Sequence, residues 1–577
     1  MKSKKFIAIF MASMIAASAC SSVVSAESYQ ATEKAEFAQW LQNYIALYQK
    51  NLDMIGDSPS VTEDISVSIS DTSRALLGFM SPVDISWLNN VGLTFDVTMA
   101  NGSENIAGTI YVNDHTVCNL EFYMDIAAQK MYARIPELHD SYIYLDMAMA
   151  SEGSEELTAS MELLQNPVSL NPDPATLKTL LTRYSEILFD GFGESIAGDD
   201  TLSVEGVGEA CKTYKGIMQV EDAQKFMIKL LTTAKEDNEL KTLIEEWAPL
   251  LDMESESGDI YIDFRSGIND LLEDLEEDPY ENDGTYVSSK IWVDSDNNIV
   301  GREIGFCDYT EAEEEIYFKY YAPSTDTETA LFAEINIDGE SFAISGKGTV
   351  TEGKVSGTYD ILYDNVVTAS IDVADYVPAD LNTGVVNGSY TIKVQPDILP
   401  EEYAFLSDFD LVVDCVSNPE TYDSTYALTV NMSGAALGAL NISAGYRDPV
   451  TAPEFTSYAN VLDFANEEHL TTFVTEMDWM PVLKNCIAAG MPEDVASMLD
   501  ELIYNALYGA PYEDEYYDDA YYDDYYEDAY EDDYYDDSYE DEYYDDTYEN
   551  SYDEVPSEIP SDEDVEVPAE VPSDESM

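Results

Sequence analysis

Positive charge is what this chain most lacks. Its 577 residues hold 25 lysines and arginines against 117 aspartates and glutamates, a formal charge of -92. No Lys or Arg follows Lys484. Such a surface repels nucleic acid and anionic lipid, and it favours cations and basic partners. Histidine is nearly absent too: the three are His115, His139 and His469. With no H-E-x-x-H and no Cys/His group at ligand spacing, a zinc centre is excluded as an expectation. The six cysteines include Cys20, and the other five (Cys118, Cys211, Cys307, Cys415, Cys486) are widely spaced. They form no CxxC and no disulfide framework, and they read as small buried apolar residues. Beyond the N-terminus no apolar run approaches the length of a membrane span.

Present instead is alternation. From Gly284 to Tyr446 short runs place apolar residues at every second position, as in Val355, Gly357, Tyr359, Ile361 and Tyr363, or Tyr426, Leu428, Val430 and Met432. Period two with one wet face predicts antiparallel sheet. A similar set (Leu93 to Met99, Gly108 to Asn113, Leu120 to Ile126, Lys130 to Ile135, Tyr142 to Met147) predicts a meander, with Asn101-Gly102 as its first turn. Helical spacing appears at Glu33 to Leu52, after the Asp173-Pro174 cap, from Asp222, and over Glu239 to Trp247. It returns from Asn460 to Tyr508, where Pro492 opens a helix expected to bury Val495, Met498, Leu499, Leu502 and Ala506. The fold class is therefore α+β, with meander-rich antiparallel sheets and packed helices. The expected segments are 1–26 (signal), 27–278 (helix and sheet), 279–450 (antiparallel β), 451–510 (helical, packing on the body) and 511–577 (tail).

Met1 to Ala26 reads as an export signal: Lys2, Lys4 and Lys5 precede a short apolar stretch. Two processing sites compete. Val24-Ser25-Ala26 suits cleavage after Ala26, whereas Ala17-Ser18-Ala19-Cys20 resembles a lipobox that would remove 1–19 and acylate Cys20. Both place the mature protein outside the cytoplasm, secreted or lipid-anchored to the outer face of the cell membrane.

The tail is a nine-residue repeat. Its copies begin Tyr516-Tyr517-Asp518-Asp519, Tyr525-Tyr526, Tyr534-Tyr535-Asp536-Asp537 and Tyr543-Tyr544-Asp545-Asp546. Thirty of the acids lie between Tyr512 and Met577. Neighbouring carboxylates repel in any compact form, so a disordered chain is expected. Hard oxygen ligands on a mobile scaffold suit weak calcium binding, and the tyrosines suit basic, glycan or peptide partners. No other cofactor is expected. A membrane enters only through the possible anchor.

No catalytic residue can be assigned. Paired carboxylates are too common to single out any pair. The glycines at 206, 208 and 216 lack the order of a dinucleotide loop. Ser185 and Ser195, near Asp190-Gly191-Phe192-Gly193, stand in no nucleophile elbow. Asp294-Ser295-Asp296-Asn297-Asn298 has Ile299 where a calcium loop needs glycine, and it reads as a hairpin turn. Tyr142 and Tyr144 suit either a carbohydrate platform or cross-strand packing.

The runs N-I-A-G-T-I-Y-V-N-D and Q-K-M-Y-A-R-I-P-E-L within Asn105 to Met147, the segment Glu205 to Lys235 and Thr285 to Gly357 resemble a group of uncharacterised extracytoplasmic proteins and lipoproteins of clostridial gut and rumen bacteria. The resemblance implies a cell-surface or secreted α+β protein and carries over no site residue. In outline, a helix-backed meander is also similar to lipoprotein-carrier and lipid-binding folds. The functional expectation is binding at the cell envelope rather than catalysis. The alternatives are a carrier of a lipid or other hydrophobic ligand, or a carbohydrate-active enzyme.

Overall fold

The computed structural model describes residues 28–508, except 56–59, 81–83, 101–102, 127, 148–170, 248–256, 278–283, 308–313, 338, 379–382, 397–398, 400 and 448–460. The Asn101-Gly102 turn, the boundary at 278/279, the 511–577 tail and the 1–26 segment therefore lie outside the described residues.

Helix α1 (Tyr29–Ile55) opens the described chain, followed by β1 (Ser60–Ile69) and α2 (Asp71–Met80). The expected meander follows as β2 (Asn90–Ala100), β3 (Ser103–Val112), β4 (His115–Asp125), β5 (Lys130–Arg134) and β6 (Tyr142–Asp146). Next come α3 (Pro174–Asp190), β7 (Glu194–Val204), β8 (Val207–Gln219), α4 (Val220–Glu236), α5 (Asn238–Trp247) and α6 (Ile260–Glu277). The long β run comprises β9 (Thr285–Val293), β10 (Ile299–Cys307), β11 (Glu314–Tyr321), β12 (Glu328–Ile337), β13 (Glu340–Thr351) and β14 (Lys354–Tyr363). It continues through β15 (Val366–Tyr376), β16 (Gly388–Val394), a 3-10 turn (Glu401–Asp408), β17 (Phe409–Ser417), β18 (Ser424–Met432) and β19 (Ala435–Tyr446). Short β20 (Val461–Asp463) and helices α7 (Glu467–Glu476), α8 (Met480–Ala488) and α9 (Glu493–Tyr508) end it.

All twenty strands belong to one sheet. Each strand from β7 to β19 pairs antiparallel with the next, and β19 then pairs with β1. From β1 the ladder runs through β2 to β6, and β20 joins β6 in parallel. The result is a mixed α+β fold: an open, mostly antiparallel sheet with packed helices.

Tight turns fix this topology. Asn113-Asp114, Glu205-Gly206, Glu352-Gly353, Asp364-Asn365 and Ser433-Gly434 are two-residue connections with positive φ at both positions. That backbone matches the right-handed twist of the strands it joins. The Asp294 to Asn298 segment is also a turn: Asn298 N–H and Asp296 N–H donate to the Asp294 carboxylate at 2.7 and 2.9 Å.

The main core lies where α1, α3 and α4 cover β8 to β10. Phe37, Leu41, Phe189, Phe226, Ile291 and Ile304 meet there. The Asp173 carboxylate accepts from Thr176 N–H, as the Asp-Pro signal predicts. A charged pair is sealed inside this core, with Arg302 donating to Glu33 of α1, both side chains fully buried. On the opposite face Leu202, Cys211, Trp292 and Val300 form a smaller core. The α9 face differs from its expectation. Val495 and Ala496 are buried, while Met498 and Leu502 are exposed, because α9 packs chiefly on α8 and not on the sheet.

Candidate functional site

The alternation sends one apolar row set to the same face of every strand. Residues in register across the ladder include Leu331, Gly346, Tyr359, Ile371, Ile392, Leu411 and Val430. A neighbouring row runs through Ala333, Ile344, Ile361, Ala369 and Val394. Beyond β18 the same face continues through Leu428, Leu440, Val67 and Val91. The other face carries Thr358 bonded to Asp372 at 2.7 Å, Lys393 to Asp372 at 2.8 Å, and Asn431 to Asp410 at 2.6 Å. One face is hydrated; the other has to be covered or occupied.

Helices pack on it at its two ends, and α1 runs on from the first of these toward the β17–β18 connection. At β8 to β10 the cover is α1, α3 and α4. At β3 and β4 it is α8, where Ala489 and Val482 meet Val112, Val117 and Ile110. Over the ten strands from β12 through β19 to β1 and β2, most described residues of the face are half-buried or exposed, while Gly346, Val355, Tyr359 and Cys415 are buried. Ile335, Phe342, Val366, Val394, Val67 and Val91 are exposed. The charges registered on this stretch are Glu340, at a turn, and Glu63. Tyr390 is the type of polar group present: its hydroxyl donates to Asn387 carbonyl at 3.3 Å, and burial pushes its pKa up to about 12.

Helix α1 spans part of this face. At its start Tyr29 packs on Gly216 of β8, and Tyr29 N–H donates to Ser195 Oγ at 2.8 Å. Near its end Lys50 donates to Pro419 carbonyl at 2.7 Å and sits over the Tyr422 ring, in the β17–β18 connection. Those 21 residues of helix span roughly 32 Å. A flat sheet would set β8 and β17 about 43 Å apart across nine spacings. The Tyr29 and Lys50 side chains supply the remaining reach, so α1 bridges the apolar side from β8 to the β17–β18 connection.

The residues singled out from the sequence are placed elsewhere. Cys20, Ala26 and the tail tyrosines and aspartates from Tyr516 to Asp546 lie outside the described residues. Ser185 Oγ donates to Thr182 carbonyl, a helix-internal bond. Tyr144 packs against Tyr132 and Tyr132 against Tyr123, while Arg134 lies over Tyr142 at 4.4 Å, so these rings serve cross-strand packing. Cys118, Cys211, Cys415 and Cys486 are free thiols, and burial raises Cys118 and Cys211 to about 11. No group of three or more metal-binding side chains occurs among the described residues. Among them, no helix is long and apolar enough to cross a membrane. Sequence reading missed α2 and the 3-10 turn, whose exposed apolar residues break no periodicity and so carry no signal.

No family model, curated protein or solved structure matches the chain.

Proposed function

We propose that this is an exported protein of the cell envelope that holds a hydrophobic ligand, the acyl chains of a lipid, against the apolar face of β12 to β2. One observation carries this reading: ten adjacent strands present aliphatic and aromatic side chains on one face with no charge in its middle rows. Fully paired strands offer a ligand no free backbone donors, which suits an acyl chain and disfavours a glycan or a peptide. The export signal and the resemblance to clostridial surface proteins support the same location. A binding role at the envelope thus takes a definite chemical form.

The test is organic extraction of the full-length protein followed by mass spectrometry, with displacement of a fluorescent fatty acid as the quantitative assay. Saturable binding is expected, and Ile392→Asp should weaken it at least tenfold. Ile392→Val, which keeps the face apolar, should bind within about threefold. No extractable lipid together with no saturable fluorescence overturns the reading, and so does wild-type affinity in Ile392→Asp.

A further inference from the structure

We propose that the end of the sheet where α2 and the 3-10 turn emerge is a docking rim for an electrically neutral lipid bilayer; this rests on the reading of the apolar face as an acyl-chain site. The two segments are fastened to one hairpin. Ser70 N–H and Ser73 Oγ donate to Leu437 carbonyl at 2.9 and 2.6 Å, and Ser433 N–H donates to Asp408 carbonyl at 2.7 Å. Both present large apolar groups to solvent: Leu76, Leu77 and Phe79 on α2, and Tyr403, Phe405 and Leu406 on the turn. Phe79 is 92% exposed. At 100° per residue, the three α2 side chains fan over about 160° of the helix. So broad an arc suits immersion in a fluid apolar phase more than contact with one flat protein face.

The rim continues into the apolar face. Phe342, Tyr363, Val366 and Val394 are exposed at the same ends of their strands, beside the Asp364-Asn365 turn and the 3-10 turn. A lipid leaving a bilayer there would meet apolar surface throughout.

Two further observations select the partner. The chain outside the described residues joins the body at this end: Tyr29 sits on Gly216, whose register runs through Ser289, Ile304, Phe318 and Ile335 to Phe342. Cys20 lies nine residues before Tyr29, a reach of at most about 32 Å. An acyl anchor there would hold the rim against the membrane. Charge decides the lipid class: Asp114, Glu340, Asp364 and Asp408 stand at this end, and Arg74 is engaged by Asp71. Anionic headgroups are repelled, and neutral ones are accepted.

Flotation with phosphatidylcholine vesicles tests the rim, using the full chain carrying Cys20→Ala so that no anchor contributes. Bound protein is expected with pure phosphatidylcholine and less with added phosphatidylglycerol. Phe79→Asp and Phe405→Asp should each lower the bound fraction at least fivefold, with fatty-acid displacement in vesicle-free buffer unchanged. Absence of flotation, undiminished flotation of both variants, or preference for phosphatidylglycerol overturns the rim. Fatty-acid binding lost in both variants overturns it as well, since the substitutions then act on the fold. Flotation without any fatty-acid binding leaves the rim standing and removes the acyl-chain reading of the apolar face instead.

Discussion

Single side chains decide how firmly the helical layer is pinned, and Asp237 shows how. It caps α5 by accepting from Glu239 and Leu240 N–H at 3.0 and 3.2 Å, and it pairs with Arg183 of α3. Burial of the carboxylate acts to raise its pKa, but the Arg183 guanidinium, the Leu240 N–H and the Tyr184 hydroxyl outweigh it, and the group is held below the usual aspartate range. A depressed carboxylate adds stability above its unfolded pKa and loses it as pH falls through the folded one. Asp237→Asn should therefore cost roughly 2 kcal/mol near neutral pH. The gap to wild type should begin to narrow below about pH 4, the unfolded aspartate value, and close as pH falls through the lower folded one. Urea denaturation at pH 7 and pH 3 measures both ends.

At the scale of elements, the seat of α1 on β8 depends on a missing side chain. A Cβ on Gly216 would lie 2.2 Å from the Tyr29 ring, which is fully buried and cannot step aside. Gly216→Ala should destabilise the protein by about 1–3 kcal/mol, read as a lowered Tm, with secondary structure retained. Much of the element list was legible in the sequence. Alternation marked most strands from β9 to β19, though no run was singled out for β15 or β17, and the Asp173-Pro174 pair marked the start of α3 to the residue. Strand β1 escaped because it is followed at once by α2, leaving no turn signal. Helix α6 escaped because its dense acids mask a buried pair, Tyr261 and Ile268. The site itself was out of reach for another reason. Alternation shows that a strand has an apolar face, but only the packing of helices shows how much of that face they cover.

For the whole molecule, negative charge is general: the chain before Tyr512 holds 87 of the 117 acids and all 25 lysines and arginines. The body also offers the apolar face, while the final 66 residues carry an acidic tyrosine repeat with no positive charge. The repeat's carboxylates should collect calcium weakly and at several sites. Isothermal titration of the full chain against one lacking 512–577 checks this: most of the calcium heat should vanish with the repeat, while fatty-acid affinity stays within about twofold. Equal heats from both chains would assign calcium to the body.

The β1–β19 ladder has a consequence for how the chain comes into being. The first strand to leave the ribosome pairs on one side with β19, made some 370 residues later, and α1 reaches the β17–β18 connection. Neither can settle until nearly all of the sheet has been synthesised, so contacts this distant in sequence delay closure. A polypeptide that postpones its own completion remains threadable until almost its whole length has been made.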